Sequence, residues 1–294
     1  MKVVIEVTDP NNPIRYEGTE IISKVSEVQK WCILNTEGSE HLFINNTLQS
    51  SKADEMIYHE MFVHSLMSGC KNKSSVLILG GSEGCTLREV LKWNVDKVTQ
   101  VDWDASLVSY FKGDGSSWNS NSYDDPRVTV VISDALEWLH KCNEKYDCIL
   151  IDLFDPTDVS LGVIEEIIKD CKRCLNPWGS LSVNAGAARS KSANLLALSI
   201  KNIFTRGKEF AAVRCSVPSF KEDWVFLMVV STLWSVIIHE AKLPEMKYYN
   251  RNNLLISLQW DKKEYPILND FWKPKKLTTF GETRISDLKA YYGC

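Results

Sequence analysis

Acidic residues recur in this chain wherever a strand of an alternating strand–helix protein would end. Glu83 sits in Gly80-Gly81-Ser82-Glu83-Gly84, directly after the apolar run Val76-Leu77-Ile78-Leu79. Asp102 closes a second apolar run in Val101-Asp102-Trp103-Asp104. Asp134 follows the β-type stretch 128–132, and Asp152 with Asp155 follows Tyr146-Asp147-Cys148-Ile149-Leu150-Ile151. A glycine cluster between an apolar run and the helical pattern Leu87-Arg88-Glu89-Val90-Leu91 is the tight turn by which a buried parallel strand enters a helix facing a nucleotide. A carboxylate about twenty residues later is placed to grip a ribose diol.

The glycine turn separates ligand classes. A dinucleotide fold wants G-x-G-x-x-G so that backbone can approach a pyrophosphate. Here Glu83 stands at the crest of the turn, where it repels phosphate and suits an ammonium or a sulfonium. Ordinary adenosylmethionine-dependent methyltransferases tend to carry an acid at the end of this first strand, where this chain has Ile78 and Leu79. Each acid also has a structural reading. Asp134 before Ala135-Leu136-Glu137 can be a helix N-cap, and Asp155 before Pro156 a turn residue. Jointly they predict one polar rim that binds a nucleoside and something positive.

The side chains meet only if their strands lie parallel and side by side. Strand-like runs at 75–79, 97–102, 128–132, 148–152, 180–183 and 224–231 alternate with helical patterns at 86–93, 135–141, 161–174 and 192–204. Such alternation predicts an α/β protein with a mostly parallel sheet covered on both faces and its ligand at the carboxyl ends of the strands. Residues 1–52 instead alternate short β-type runs with turns, predicting a small antiparallel β domain that must pack on something larger. The main domain is expected over 53–260, opening with a helix at 54–66. Residues 261–294, including Trp272-Lys273-Pro274-Lys275-Lys276, read as a C-terminal extension. Gly113-Asp114-Gly115-Ser116-Ser117 and Asn119-Ser120-Asn121-Ser122 read as an exposed loop.

Composition removes other classes. The net charge of −4 argues against a nucleic-acid partner held by phosphate contacts and would suit a cationic substrate. No apolar run approaches the roughly 18 residues of a membrane span, and the N-terminus reads as a strand rather than a signal peptide. The odd count of 9 cysteines suits reduced thiols and a cytoplasmic location. Cys171 and Cys174 form a C-x-x-C inside a helical pattern with no second pair at zinc-ligand spacing, so no metal is expected. The sequons Asn45-Asn46-Thr47 and Asn72-Lys73-Ser74 read as chance matches. The 10 tryptophans do not interleave with basic clusters and read as core, and the basic run 273–276 reads as solvated surface.

An ordered series of motifs from about Ser26 to Asn250 resembles the spermidine synthase family of polyamine aminopropyltransferases. Ser26-Glu27-Val28-Gln29 is similar to the family's S-x-Y-Q. Leu48-Gln49, Asp54-Glu55 and Tyr58-His59-Glu60 resemble its Q-x-x-x-x-D-E-x-x-Y-H-E. Residues 80–84 with Arg88-Glu89-Val90-Leu91 stand where the family has G-G-G-D-G-G and R-E-V-L. Residues 101–104 stand for V-E-I-D, Asp125-Pro126-Arg127-Val128 to Asp134-Ala135 for D-P-R-V to D-A, and Tyr146-Asp147 to Asp152-Leu153-Phe154-Asp155-Pro156 for Y-D to D-S-S-D-P. Lys247-Tyr248-Tyr249-Asn250 matches K-Y-Y-N.

The resemblance implies a Rossmann-like methyltransferase-type domain carrying a small N-terminal antiparallel β domain, assembled as a homodimer or tetramer. It also implies transfer of an aminopropyl group from decarboxylated S-adenosylmethionine, a co-substrate rather than a resident cofactor, to putrescine or a related diamine or polyamine, with release of methylthioadenosine. An amine with a pKa near 10 is protonated at neutral pH and needs a carboxylate to take its proton. Asp152 holds the matching position, with Tyr58 and Asp155 positioning the amine. On the donor side the resemblance assigns Glu83 to the aminopropyl ammonium, Asp102 to the ribose and Asp134 to the adenine amino group. Gln29 and His59 match contacts to the nucleoside and the amine-bearing ligand, and Gly80 and Ala135 line the same site.

The chain departs from the family pattern mainly near the substrates. Glu83 replaces an Asp, Cys85 a Gly, Phe220 the tyrosine of I-P-x-Y-P and Trp93 a common His. Asn252 or a neighbour stands for the His after K-Y-Y-N. Ile44-Asn45-Asn46 replaces Leu-Asp-Gly, and Asp155-Pro156-Thr157-Asp158-Val159-Ser160 replaces D-P-x-G-P-A. Two alternatives therefore accompany the reading: an S-adenosylmethionine-dependent amine N-methyltransferase on the same scaffold, and a non-catalytic, nucleoside-binding or regulatory homologue.

Overall fold

The computed structural model describes residues 1–7, 13–157, 159–204, 208–231 and 242–271. The first five strands, β1 (Lys2–Glu6), β2 (Ile14–Val25), β3 (Lys30–Thr36), β4 (Ser39–Ile44) and β5 (Thr47–Ser51), form an antiparallel sheet in that order. Asn45 and Asn46 both take positive φ, 49° and 67°, which short polar side chains tolerate and which turns β4 tightly into β5. The strand β5 carries little sequence signal, because Thr47 is its one β-branched residue and Leu48-Gln49-Ser50-Ser51 adds no other β-branched or aromatic residue.

The second sheet runs β11 (Lys208–Val217), β12 (Glu222–Ser231), β10 (Leu175–Ala187), β9 (Tyr146–Asp152), β6 (Ser75–Gly80), β7 (Lys97–Asp102), β8 (Val128–Ile132). Strands β6 to β10 are mutually parallel, while β12 runs antiparallel to both its neighbours. The four residues Val76 to Leu79 have no solvent exposure, so β6 is covered on both faces, as its uninterrupted apolar run requires. Val76 and Ile78 enter one core, with α1 (Glu55–Met67) and α2 (Cys85–Leu91). Leu77 and Leu79 enter the other, with α4 (Ala135–Lys141), α5 (Leu161–Cys174) and α6 (Lys191–Ile203). From β6 the chain proceeds outward to β7 and β8, then returns to β9 on the other side. The crevice between the carboxyl ends of β6 and β9 is therefore the topological switch point.

Three expectations need correction. A helix, α3 (Ala105–Lys112), follows β7. Its signal was the cap Asp104, whose side chain accepts from the amides of Ser106 and Leu107. The edge strand β11 was missed because Lys208, Glu209, Ala211, Ala212 and Arg214 have weak strand preference and gain it only by pairing with β12. The loop expected to be exposed at 113–122 is partly buried. Trp118, Asn119 and Ser122 are covered, because the Asn119 amide donates to the carbonyls of Glu83 and Phe111 and lies over the glycine turn. Beyond α7 (Arg251–Ser257), the short helix α8 (Pro266–Phe271) buries Leu268 and Phe271 in the second core. The rest of the expected C-terminal extension, with the basic run 273–276, lies outside the described residues.

Candidate active site

The site begins at a close approach of two strands. Gly80 pairs with Asp152 in the parallel register, and the Gly81 amide donates to the Asp152 carbonyl at 3.0 Å. A Cβ at Gly80 would lie 2.1 Å from that carbonyl oxygen, and its φ is +83°, so only glycine allows the contact. Gln100, fully buried on β7, donates from Nε2 to the carbonyls of Gly80 and Gly81 at 2.9 and 2.7 Å and locks the turn.

This approach holds Asp152 at the rim. Tyr58 donates to its Oδ1 at 2.7 Å and Thr86 to its Oδ2 at 2.6 Å. Each carboxylate oxygen keeps a lone pair for another donor. Burial and the neighbouring Glu83 charge raise the pKa of Asp152, against the opposing pull of His59 and the two hydroxyls. Burial and the Asp152 charge hold the Tyr58 phenol far above its usual range, so it remains a donor. Asp155 is pushed up to about 6 by burial and accepts from Asn184 Nδ2 at 3.1 Å. Asn184 Oδ1 in turn accepts from Trp224 Nε1 at 2.8 Å. Phe220 stands between Tyr58 and Trp224, with ring centroids 6.1 and 4.7 Å away.

On the donor side, His59 is hydrogen bonded through both ring nitrogens, Nδ1 to Glu55 Oε2 and Nε2 to Glu83 Oε1, each at 2.8 Å. Burial would lower its pKa, but the bonds to the two carboxylates raise it to about 10. The facing atoms of His59, Glu83 and Asp152 lie within 4.8 Å of one another. That trio has the donor types of a divalent-cation site, yet its imidazole is bonded to carboxylates on both nitrogens and holds protons where a metal needs a lone pair. Asp102, at the end of β7, is only 6% exposed. Its pKa is pushed up to about 7 by burial and by the charges of Glu83 and Asp104, with the Asp104 amide acting against them.

The N-terminal sheet reaches this rim through Ser26, which donates to Asp104 Oδ2 at 2.9 Å, and through Gln29, which also hydrogen bonds Asp104. Trp31 Nε1 donates to Ser106 at 2.9 Å beside them. Asp134 lies just past β8, exposed, and caps α4 by accepting from the Glu137 amide at 3.0 Å. Ala135 behind it is buried. Trp103 and Phe154 are 48% and 37% exposed.

Tyr58, His59, Glu83 and Asp152 thus form one contiguous group, with Asp155 beside it and Asp102 coupled to it through Glu83. The Asp134 carboxylate contacts only its own helix among its described hydrogen bonds. Thr86, Gln100 and Asn184 were not anticipated. Asn184 directly follows the expected strand 180–183, and the strand-end pattern could have marked it had it been extended from acids to amides; in the structure it lies within β10, which continues to Ala187. Thr86 and Gln100 act on partners 66 and 19 residues away, and no local pattern marks them.

The spermine/spermidine synthase domain model matches residues 55–240. A polyamine aminopropyltransferase of Saccharolobus solfataricus is 33% identical over 252 residues, covering 81% of this chain and 82% of that protein. A polyamine aminopropyltransferase of Sulfolobus acidocaldarius is 37% identical over 190 residues, covering 63% of each, so the match spans less than two thirds of that relative. The solved spermidine synthase from Thermotoga maritima has a TM-score of 0.81 at 24% identity, covering 92% of this chain and 94% of its own. A spermidine synthase in complex with the transition-state analogue AdoDATO has a TM-score of 0.82 at 24% identity, covering 91% and 95%. At that identity the likeness is one of fold.

Proposed function

Because this chain belongs to the spermine/spermidine synthase family, we propose that it is an aminopropyltransferase. It takes decarboxylated S-adenosylmethionine as donor and a diamine or polyamine such as putrescine as acceptor, and releases methylthioadenosine. The observation that carries this reading is the convergence of His59, Glu83 and Asp152 within 4.8 Å, with Tyr58 at 2.7 Å from Asp152. An anionic centre for a nitrogen nucleophile and an anionic centre for a cationic donor lie side by side.

In this scheme the acceptor ammonium binds between Asp152, Tyr58 and Asp155. Asp152, whose basicity burial has raised, accepts the proton from nitrogen. The freed lone pair attacks the carbon beside the sulfonium, an N–C bond forms and the C–S bond breaks. The sulfur leaves as a neutral thioether, so the leaving group needs no further stabilisation, and alignment of the two substrates supplies much of the rate. Glu83 meets the donor ammonium, Asp102 the ribose hydroxyls, and Asp134, Ala135, Gly80 and Gln29 the rest of the nucleoside. Phe220 lines the acceptor site in place of a hydroxyl-bearing residue, which leaves Asn184 as the polar partner of Asp155. Assembly as a homodimer or tetramer belongs to the same proposal, as does a cytoplasmic location. The eight described cysteines are all buried and unpaired, as in a reducing compartment.

The test is incubation with decarboxylated adenosylmethionine plus putrescine, cadaverine or spermidine, and separately with adenosylmethionine. Methylthioadenosine from the first mixture is the expected product. Adenosylhomocysteine from the second would establish the methyltransferase alternative instead, and neither product despite nucleoside binding would leave a non-catalytic homologue.

Asp102 adds a pH signature. The carboxylate accepts from both ribose hydroxyls, whereas the protonated acid has lost part of that capacity. Affinity for methylthioadenosine, an uncharged ligand, should therefore rise as pH increases through about 7 and level off above it. The Asp102→Asn variant should bind more weakly and show no step. Calorimetric titration at several pH values checks this, and a flat wild-type profile would exclude Asp102 as the ribose anchor.

A further inference from the structure

We infer that Glu55 and Arg88, which the reaction scheme leaves unused, are positioning residues for the donor. Arg88 clamps Glu55, Glu55 holds His59 as an imidazolium, and His59 commits one oxygen of Glu83 so that the other faces the aminopropyl ammonium. This rests on the aminopropyl-transfer reading and deepens it.

The geometry is continuous. Arg88 donates Nη1 to Glu55 Oε1 and Nη2 to Glu55 Oε2, both at 2.9 Å, the paired fork that sets a carboxylate's plane as well as its place. Its Nε donates to Glu89 Oε1 at 2.7 Å and its Nη1 also to the Trp118 carbonyl at 3.0 Å, so the guanidinium is held on three sides. Glu55 Oε2 takes the Nδ1 proton of His59 at 2.8 Å, and Nε2 of the same ring meets Glu83 at 2.8 Å. A neutral imidazole has one N–H, so a ring serving two carboxylates carries a proton on each nitrogen. Lys92 closes the row on Glu89 at 2.6 Å. Signs therefore alternate from the ligand pocket outward: Glu83, His59, Glu55, Arg88, Glu89, Lys92. No member is left as an uncompensated buried charge.

The ionisable groups facing His59 are Glu55 and Tyr58 on α1, Glu83 in the glycine turn, Cys85 on α2 and Asp152 at the end of β9. Arg88 on α2 stands behind Glu55. Without the imidazolium, Glu83 would face Asp152 and Asp102 with nothing opposing their repulsion, and its longer side chain would be free to turn away. The extra methylene that distinguishes Glu83 from an aspartate gives it the reach to sit 2.8 Å from His59 and still stand at the crest of the turn.

Histidine NMR on the ligand-free protein, combined with binding of two ligands, tests the inference. In the wild type, His59 should remain protonated on both nitrogens to above about pH 9. Glu55→Gln should bring its titration down by about two units or more. Above that new midpoint, affinity for decarboxylated adenosylmethionine should fall about tenfold, while affinity for methylthioadenosine, which lacks the ammonium, stays within about twofold. A purely structural defect would weaken both ligands equally at every pH. If Glu55→Gln does not fold, Arg88→Lys, which keeps the charge but loses the fork, must shift the His59 titration in the same direction. A neutral His59 at pH 7 in the wild type, or equal losses for the two ligands, overturns the inference. If His59 and the two ligands behave as expected but no amine is aminopropylated, the positioning stands and the activity assignment falls.

Discussion

Replacing Asp152 with asparagine is expected to slow aminopropyl transfer by about 10²–10⁴-fold, the usual contribution of a positioned general base. The substitution is nearly isosteric. Tyr58 can still donate to the remaining carbonyl oxygen, and the Thr86 hydroxyl can accept from the new amide, so the rim keeps its shape. What disappears is the acceptor for the proton that an alkylammonium must lose before its nitrogen can attack. Because methylthioadenosine makes no demand on that proton, its affinity should change by less than about twofold. Turnover with decarboxylated adenosylmethionine and titration with methylthioadenosine separate the two effects. A variant with near-normal turnover would transfer the role to Asp155, the other carboxylate of the acceptor site, which burial also makes more basic. The sign of the pH dependence follows from the same chemistry. The ionised form of Asp152 is the active one and burial raises its pKa, so the rate should fall as pH is lowered through that raised value.

The second large effect is on stability and comes from Glu60, the residue after His59. It is 1% exposed and accepts three backbone amides, Lys247 at 2.9 Å, Tyr248 at 2.6 Å and Tyr249 at 2.7 Å. These bonds fasten the segment leading into α7 onto α1. Glu60→Ala strands three amides at once, and by the scale of broken buried charged contacts it should cost about 3–5 kcal/mol. In a chain of this size that corresponds to a fall of roughly 5–8 °C in Tm. Glu60→Gln, which keeps one carbonyl oxygen for Tyr248 and Tyr249, should lose clearly less. Thermal melts of the two variants give the comparison. Equal melting of Glu60→Ala and wild type would mean that the amides find water and that the segment contributes little to the fold.

The strand ends and the glycine turn were readable along the chain because each is a local event. An apolar run must be buried, glycine alone permits the turn, and carboxylates recurring at successive strand ends point to one shared rim. The same locality explains the failures. Strand β11 draws its stability from β12, α3 is announced by little more than its cap, and Asn119 is buried by what it covers rather than by its own character.

The residue types at the rim, their order and their rough spacing belong to the one-dimensional chain, since they follow from strand length and turn chemistry. Who pairs with whom belongs to the folded molecule. Tyr58 reaches Asp152 across 94 positions, Arg88 reaches Glu55 across 33, and His59 reaches Glu83 across 24. A charge buried among others takes its protonation state from those partners, so a histidine that would be neutral in water becomes a cation, and a carboxylate becomes a stronger base, only after distant segments have closed around it.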